Sequence, residues 1–451
     1  MVAERDARIA ELERVNAELL ERMAELEARL KADSSNSSRP PSHEGLAKKP
    51  ARPRAQGGRR GKRKGDPGRH LARVADPDEV IWHTPAVCGG CDGELGDAPV
   101  VGSASRQVFD IPPLRLRVTE HCVQRRRCAC GHVTTAGFPD EATAAACYGP
   151  GVRALIVYLA VYQHLPVDRT ARLLADVLGA PVSTGTVSNV IAQAAAKVAA
   201  AVAVIRARLA AAAVACFDET GARIAGWLHW LHVAATALYT LVFAHPKRGK
   251  DATDAAGVLP DFRGVAVHDG WRPYRRYTKA RHGLCNAHHL RELQAAAEAG
   301  HDWAAHLAEV LRHAHKRVAT AKAAGKHRLP DDVLASIRAR YDGHVTQGLD
   351  ATRGRKSKPA ALARRLARDR DDVLRFTTDF AVPFDNNQAE RDIRMVKLQQ
   401  KISGSWRTLE GAQAFCTIRS YTATARKHGI NTLTALRDAF TGQPWMPPAT
   451  T

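Results

Sequence analysis

Three carboxylates stand where this chain could assemble a cation site. Asp218 ends the short apolar run Val214–Phe217, and Asp269 ends Val265–His268. Glu390 lies in PFDNNQAERDIRMVKLQQK. Acids at the ends of adjacent strands can converge on a shared cation. Two such ions about 3.5–4 Å apart, bridged by carboxylates and a scissile phosphate, drive phosphoryl transfer. Singly, each acid has a plainer role. An acid after a strand is usually a turn or cap residue, and an acid among basic residues on a helix is usually half of a surface ion pair. Two strand-end aspartates followed by a helix-borne glutamate point instead to metal-assisted chemistry. Asp385, Asn386 or Asn387 could cap that helix, which would run to roughly Lys401. Glu390, Arg394, Lys397 and Lys401 then share one face, which suits contact with both a metal and a phosphate backbone.

The cysteines suggest a second kind of metal site. Five of nine lie between Cys88 and Cys130 in a sequence with no evident export signal, which favours metal over disulfides. Cys88-Gly-Gly-Cys91 is a tight knuckle. Cys128-Ala-Cys130 follows after the strand-like VFDIPPLRLRVTEHCV. Two cysteine pairs around a hairpin make a zinc-ribbon pattern, since Zn²⁺ takes four soft ligands in a tetrahedron. The second pair has one intervening residue, so Cys122 and His132 remain alternative ligands. The plainer reading is a set of reduced thiols. Four cysteines leave no open position, so this zinc is expected to be structural. Cys285-x-x-His288 has no second pair nearby and is expected to be a packed thiol and a histidine at a helix start. Trp227, Trp230 and Trp271 are expected to be core aromatics.

The elements that must position these groups fall into modules. Ile9, Leu12, Asn16, Leu19, Met23, Leu26 and Leu30 alternate spacings of three and four, giving a coiled-coil seam over 1–32. One Asn at an a position favours a parallel pair. The alternative is a single amphipathic helix packed on the body. Residues 33–75 form a basic linker expected to be disordered, with 11 Lys/Arg and one acid in 48–73. Its Arg59, Arg60, Lys62, Arg63 and Lys64 would contact phosphates, adding affinity but no sequence choice. The zinc ribbon covers 76–140. Residues 141–212 are helical. Asp168–Leu178, Gly179 and Val182–Lys197 are similar to a helix-turn-helix, with Gly179 as the stop and Ser183 or Thr184 as the cap. Ser188, Asn189 and Gln193 would face outward to read bases. A plain helical hairpin is the alternative. Three or four strands occupy 213–286, a helical insertion 287–382, and the glutamate helix and a helical tail 383–451. The fold class is therefore multidomain α/β, with a mixed sheet flanked by helices.

The 451 residues carry a formal charge of +21, with 25% charged and 45% apolar residues. That excess calls for a polyanionic partner, most often nucleic acid. The longest uninterrupted apolar runs are 9 residues. A membrane span needs about 20, and no membrane association or secretory signal is expected.

These motifs together resemble one family across nearly the whole chain, the insertion-sequence-66 family of bacterial DDE transposases. The resemblance rests on SSNSSRPPS after the coil, CGGCDGEL with RRRCACG, HLPVDRTARLL, FDETGARI, HDGWRPY, CNAHHLREL and GINTLTALRDAF. The most specific string is DNNQAERDIRMVKLQQKISGSWRT. The family implies a ribonuclease-H-like core, with Asp218, Asp269 and Glu390 as its metal-binding carboxylates for two Mg²⁺ or Mn²⁺ ions. It implies hydrolysis at the element's ends, then attack of the freed 3′-OH on target DNA. It also implies a cytoplasmic, nucleoid-associated protein that binds terminal inverted repeats as a homodimer or higher oligomer, with possible accessory proteins from the same element. A CxxH string similar to Cys285-x-x-His288 also recurs near the active site in several DDE transposase families. Two departures stand out. The second knuckle is Cys128-x-Cys130 where the family often has CxxC. The family's Arg-Lys-Asn after the glutamate helix reads Gln400-Lys401-Ile402. Two other readings share these features in part. A ribonuclease-H-like nuclease without transposition would not need so large an end-binding apparatus. A zinc-containing DNA-binding regulator would leave the three carboxylates without a purpose.

Overall fold

The strands of the central sheet are apolar runs punctuated by turn residues, and their pairing sets the architecture. The computed structural model describes residues 2–30 and 71–448. Arg59, Arg60, Lys62, Arg63 and Lys64 of the basic arm lie outside the described residues. The chain divides into two compact units, 46–117 and the remainder. In the smaller unit, Val87 bridges Glu94 around the first cysteine knuckle, and Val74 and Gln107 exchange two hydrogen bonds of 2.9 Å.

The larger unit carries all the named helices and strands. The chain begins with α1 (Val2–Leu30). A short antiparallel hairpin, β1 (Arg125–Arg127) and β2 (Val133–Thr135), brackets Cys128 and Cys130. The segment VFDIPPLRLRVTEHCV, expected to form strands, forms none. Pro112 and Pro113 lack the N–H groups that a ladder needs, which overrides the alternating pattern.

Helices α2 (Pro150–Val157), α3 (Val167–Leu178) and α4 (Thr184–Ala210) follow. Gly179 ends α3 in the left-handed conformation, φ 62°, with Ala180 N donating to Leu174 O. This is a glycine C-terminal stop. The Ser183 hydroxyl accepts from Thr186 N at 3.0 Å and caps α4. Helix α4 runs well past Lys197, where the sequence reading ended it. Its Val198, Ala201, Val202, Ile205 and Leu209 are buried in the main core with Phe217, Phe262 and Tyr421. Helix α4 is also long and apolar enough by length and composition to cross a membrane, but that core packing explains its apolar face. A division of the chain at residue 212 therefore cuts through one packing unit.

The sheet contains β3 (Val214–Ile224), β4 (Trp227–Ala235), β5 (Thr240–His245), β6 (Val265–His268) and β7 (Arg281–Leu284). Its order is β5-β4-β3-β6-β7. The first three strands are antiparallel neighbours, whereas β6 runs parallel to β3, and β7 parallel to β6. Helix α5 (Lys250–Ala255) lies in the connection from β5 to β6. Strand β5 would be an open edge, and α12 (Leu409–Lys427) covers it. The Ser420 and Thr424 hydroxyls accept from Val242 N at 2.8 Å and Thr240 N at 3.1 Å. Those side chains satisfy edge donors that could otherwise recruit another strand.

Beyond β7 come α6 (Asn286–Glu298), α7 (Asp302–Ala323), α8 (Asp331–Ala351), α9 (Lys358–Arg368) and α10 (Arg370–Thr378). They pack largely on one another, with α10 against β7. The chain then returns to the sheet as α11 (Asn387–Ser403), packed along β3 and β4, and ends in α12 and α13 (Thr432–Phe440).

Trp227 is not a core residue. It is 75% exposed at the tip of the β3–β4 hairpin, where Ala225 (φ 50°) and Gly226 (φ 81°) make the turn. A two-residue loop with both φ positive matches strand twist but projects its neighbours into solvent.

Candidate active site

Strand register brings the acidic residues together. Cys216 pairs with Val267 and Val267 with Gly283 across the parallel strands β3, β6 and β7. Two residues further on, the same side-chain parity returns. Asp218, Asp269 and Cys285 therefore emerge abreast on one face at this end of the sheet. Carboxyl ends of parallel strands are where open α/β sheets form binding crevices.

Helix α11 is fastened over this end. Asn386, its N-cap residue, sends Nδ2 to Phe217 O at 2.8 Å, and its backbone N–H donates to Cys285 Sγ at 3.1 Å. Asn286 N donates to Phe384 O at 3.0 Å. One turn on, these ties deliver Glu390 to the strand ends. Its Oε1 lies 3.8 Å from His288 Nδ1 on α6.

The electrostatics register this convergence. The Asp218 carboxyl is pushed well above its usual range, first by burial, then by the charges of Glu219, Asp269 and Glu390. Glu219 is raised too, by burial and by Asp269. Its own hydrogen bonds oppose that shift. Tyr274 OH donates to Glu219 Oε2 at 2.6 Å, and Arg248 donates to Oε1 at 2.6 Å. Arg248 is sandwiched between the Trp230 and Trp271 rings, 4.6 and 4.3 Å from their centroids. Burial and crowded like charges together raise these pKa values, a strain that a cation beside Asp218 would relieve. Oxygen-rich and partly buried, with Glu390 Oε1 having no hydrogen-bond partner, it fits a hard divalent cation.

The candidate DNA-contacting residues divide. Arg394 and Lys401 are exposed on α11, whereas Lys397 Nζ donates to Gly221 O at 2.6 Å and is half-buried. Burial lowers the Lys397 pKa, and its cation stitches α11 to β3. On α4, Ser188, Asn189 and Gln193 are all exposed. Ser188 donates back to Thr184 O at 3.1 Å, and Gln193 accepts from Arg153.

The two cysteine pairs fall in different units. Backbone N–H groups of Gly90 and Cys91 converge on Cys88 and lower its thiol pKa. The Cys130 N–H does the same for Cys128. Amides aimed at sulfur favour thiolate, the form that ligates zinc. Cys122 is exposed.

Glu219, Tyr274 and Arg248 were missed by sequence reasoning. FDET contains two consecutive acids, but alternation along a strand aims the second at the opposite face from Asp218. Neither the 29-residue separation of Arg248 from Glu219 nor the 55-residue separation of Tyr274 leaves a local signal.

A search of curated proteins finds no match to this chain. Models of known families do match. Residues 1–72 match a family of unknown function, and residues 85–131 match the zinc-finger binding domain of transposase IS66. The larger match spans residues 145–414, with the sheet, the helical insertion and α11 inside it. It covers well over half of the sequence and includes the strands and the helix that carry the converging carboxylates, so this chain belongs to the transposase IS66 family.

Proposed function

We propose that this DNA transposase cuts and joins DNA at a centre formed by Asp218, Asp269 and Glu390. The carrying observation is that β3 and β6 pair Cys216 with Val267, two residues before Asp218 and Asp269, and that the charges of Asp269 and Glu390 both raise the Asp218 pKa. The sheet order, with three antiparallel strands followed by two parallel ones, supports a ribonuclease-H-like core. Two Mg²⁺ or Mn²⁺ ions bound by the three carboxylates would supply charge neutralisation and acidify the attacking water. The chain's own residues position and hold. Glu219, pinned by Arg248 and Tyr274, fixes the β3 end. Arg394 and Lys401 neutralise phosphates as the strand is laid in line for attack. Cleavage frees a 3′-OH, which then attacks a target phosphodiester in the same centre, so no covalent enzyme–DNA intermediate is needed.

Recognition of the terminal inverted repeats is assigned to the zinc finger and to the exposed start of α4, with Ser188, Asn189 and Gln193 facing the DNA. Cys88, Cys91, Cys128 and Cys130 are the proposed zinc ligands. The basic arm adds non-specific affinity. Helix α1 pairs protomers, which suits a reaction joining two ends, and accessory proteins of the same element are possible partners. The site of action would be the cytoplasm, at the nucleoid.

The test is Mg²⁺-dependent cleavage of a labelled duplex carrying the element's end, by the wild type and by Asp269→Ala, with any accessory proteins supplied. Nicks at the element boundary are expected, absent in the variant and with chelator. Equal cleavage by Asp269→Ala would remove the carboxylate site from the mechanism.

A further inference from the structure

The loose CxxH motif, expected to be structural packing, is part of the active centre. Cys285 Sγ, a His288 ring nitrogen and a Glu390 carboxylate oxygen all lie within 4.8 Å of one another. Cys285 is 1% exposed, and His288 and Glu390 are each about one-quarter exposed. Within this cluster His288 Nδ1 and Glu390 Oε1 have no hydrogen-bond partner. Their separation of 3.8 Å is too long for a hydrogen bond. Two metal–ligand bonds of about 2.0–2.2 Å meeting at a wide angle span close to that distance.

We infer that Cys285, His288 and Glu390 form a three-ligand site for a zinc-like transition-metal ion beside the carboxylate centre. Thiolate and imidazole select such ions over Mg²⁺, which prefers oxygen ligands. Three protein ligands leave a fourth position open, unlike a closed four-cysteine finger. The Asn386 N–H already donates to the Cys285 sulfur, a contact that would orient the thiolate toward an ion. The inference deepens the proposed active centre and rests on it for its meaning. Glu390 has two oxygens, and an ion on Oε1 would fix its orientation and compete for its charge with ions on Asp218 and Asp269.

Cobalt reports this site without any reliance on catalysis. The full chain, given zinc sufficient for its finger only, is titrated with Co²⁺ and followed by optical absorption. One further ion per chain is expected, with a thiolate-to-cobalt charge-transfer band. Cys285→Ser should remove that band. His288→Ala should weaken cobalt binding by about tenfold or more. Cys416→Ser, which changes another buried thiol, should leave the band intact. If Cys285→Ser does not fold, as judged by circular dichroism, His288→Ala and Glu390→Gln carry the test. No band in the wild type, or an unchanged band in the folded Cys285→Ser or in both other variants, overturns the inference. Asp269→Ala separates the two readings, because it should keep the cobalt band while losing Mg²⁺-dependent cleavage. A cobalt band in a wild-type protein that never cleaves would overturn the cleavage reading alone.

Discussion

Asp218 shows at the scale of a residue what this centre asks of the fold. Burial and three nearby carboxylates raise its pKa, so the native state holds a proton that the unfolded chain would release. The sign follows from linkage. Its contribution to stability is full below the ordinary aspartate range and is lost as pH rises through the raised value. Above the ordinary aspartate range and without divalent ions, the crowded site therefore works against folding. Asp218→Asn should raise stability there, by on the order of 1 kcal/mol or roughly 1–2 °C in Tm, while abolishing cleavage. Added Mg²⁺ should raise the wild-type Tm, since a ligand bound only by the native state stabilises it, and should do much less for the variant. Scanning calorimetry with Mg²⁺ or chelator checks both. A variant less stable than the wild type in chelator would contradict the electrostatic account. The three carboxylates could be picked out because each ends an apolar run or sits on a periodic helix. Glu219 and Arg248 could not, because only the closed sheet brings them together.

At the scale of elements, the site depends on the depth at which β6 enters beside β3. Gly264, just before β6, sets that depth. A Cβ there would stand 2.3 Å from Ala212 O and 2.5 Å from Ala213 O, and backbone cannot yield as a side chain can. Gly264→Ala should cost about 1–3 kcal/mol, as overpacking does. It should also reduce cleavage more than global unfolding explains, because it slides Asp269 relative to Asp218. Urea titration gives the first effect and single-turnover cleavage at full folding gives the second. Equal stability of variant and wild type would refute the proposed clash. Several of these elements were legible in the sequence for local reasons: Gly179 stops α3, Ser183 caps α4, and α11 follows the DNN cluster. Local pattern failed where a longer-range or steric fact took over. The two prolines annul the strand pattern of 108–123, the tight turn exposes Trp227, and α4 extends because a sheet lies beneath it. Spacing gave no sign that Cys285 and His288 meet Glu390, because the whole helical insertion separates them in the chain; only the resemblance of the CxxH string pointed toward the active site.

On the scale of the whole molecule, two features concern partners. The α1 seam is open: Ile9, Leu12, Leu19, Met23 and Leu26 are each about half exposed. Leu19→Lys should shift sedimentation toward monomer at a given concentration, and an unchanged distribution would remove α1 from assembly. The basic arm should govern salt dependence, since each neutralised phosphate adds roughly −0.9 to the slope of log K against log salt. Deleting residues 48–64 should flatten that slope for both specific and random DNA, leaving their ratio nearly unchanged. A changed ratio with an unchanged slope would mean that the arm reads sequence. Helix α4 links these partners to the chemistry in another way. Its exposed start lies in the proposed recognition surface and its far end is buried beneath the catalytic strand, with no break in between. At about 1.5 Å per residue it spans roughly 40 Å. In the proposed function such a helix would act as a ruler, fixing how many base pairs separate the bases that are read from the bond that is cut, so that the cleavage point would be measured mechanically and not recognised by its sequence.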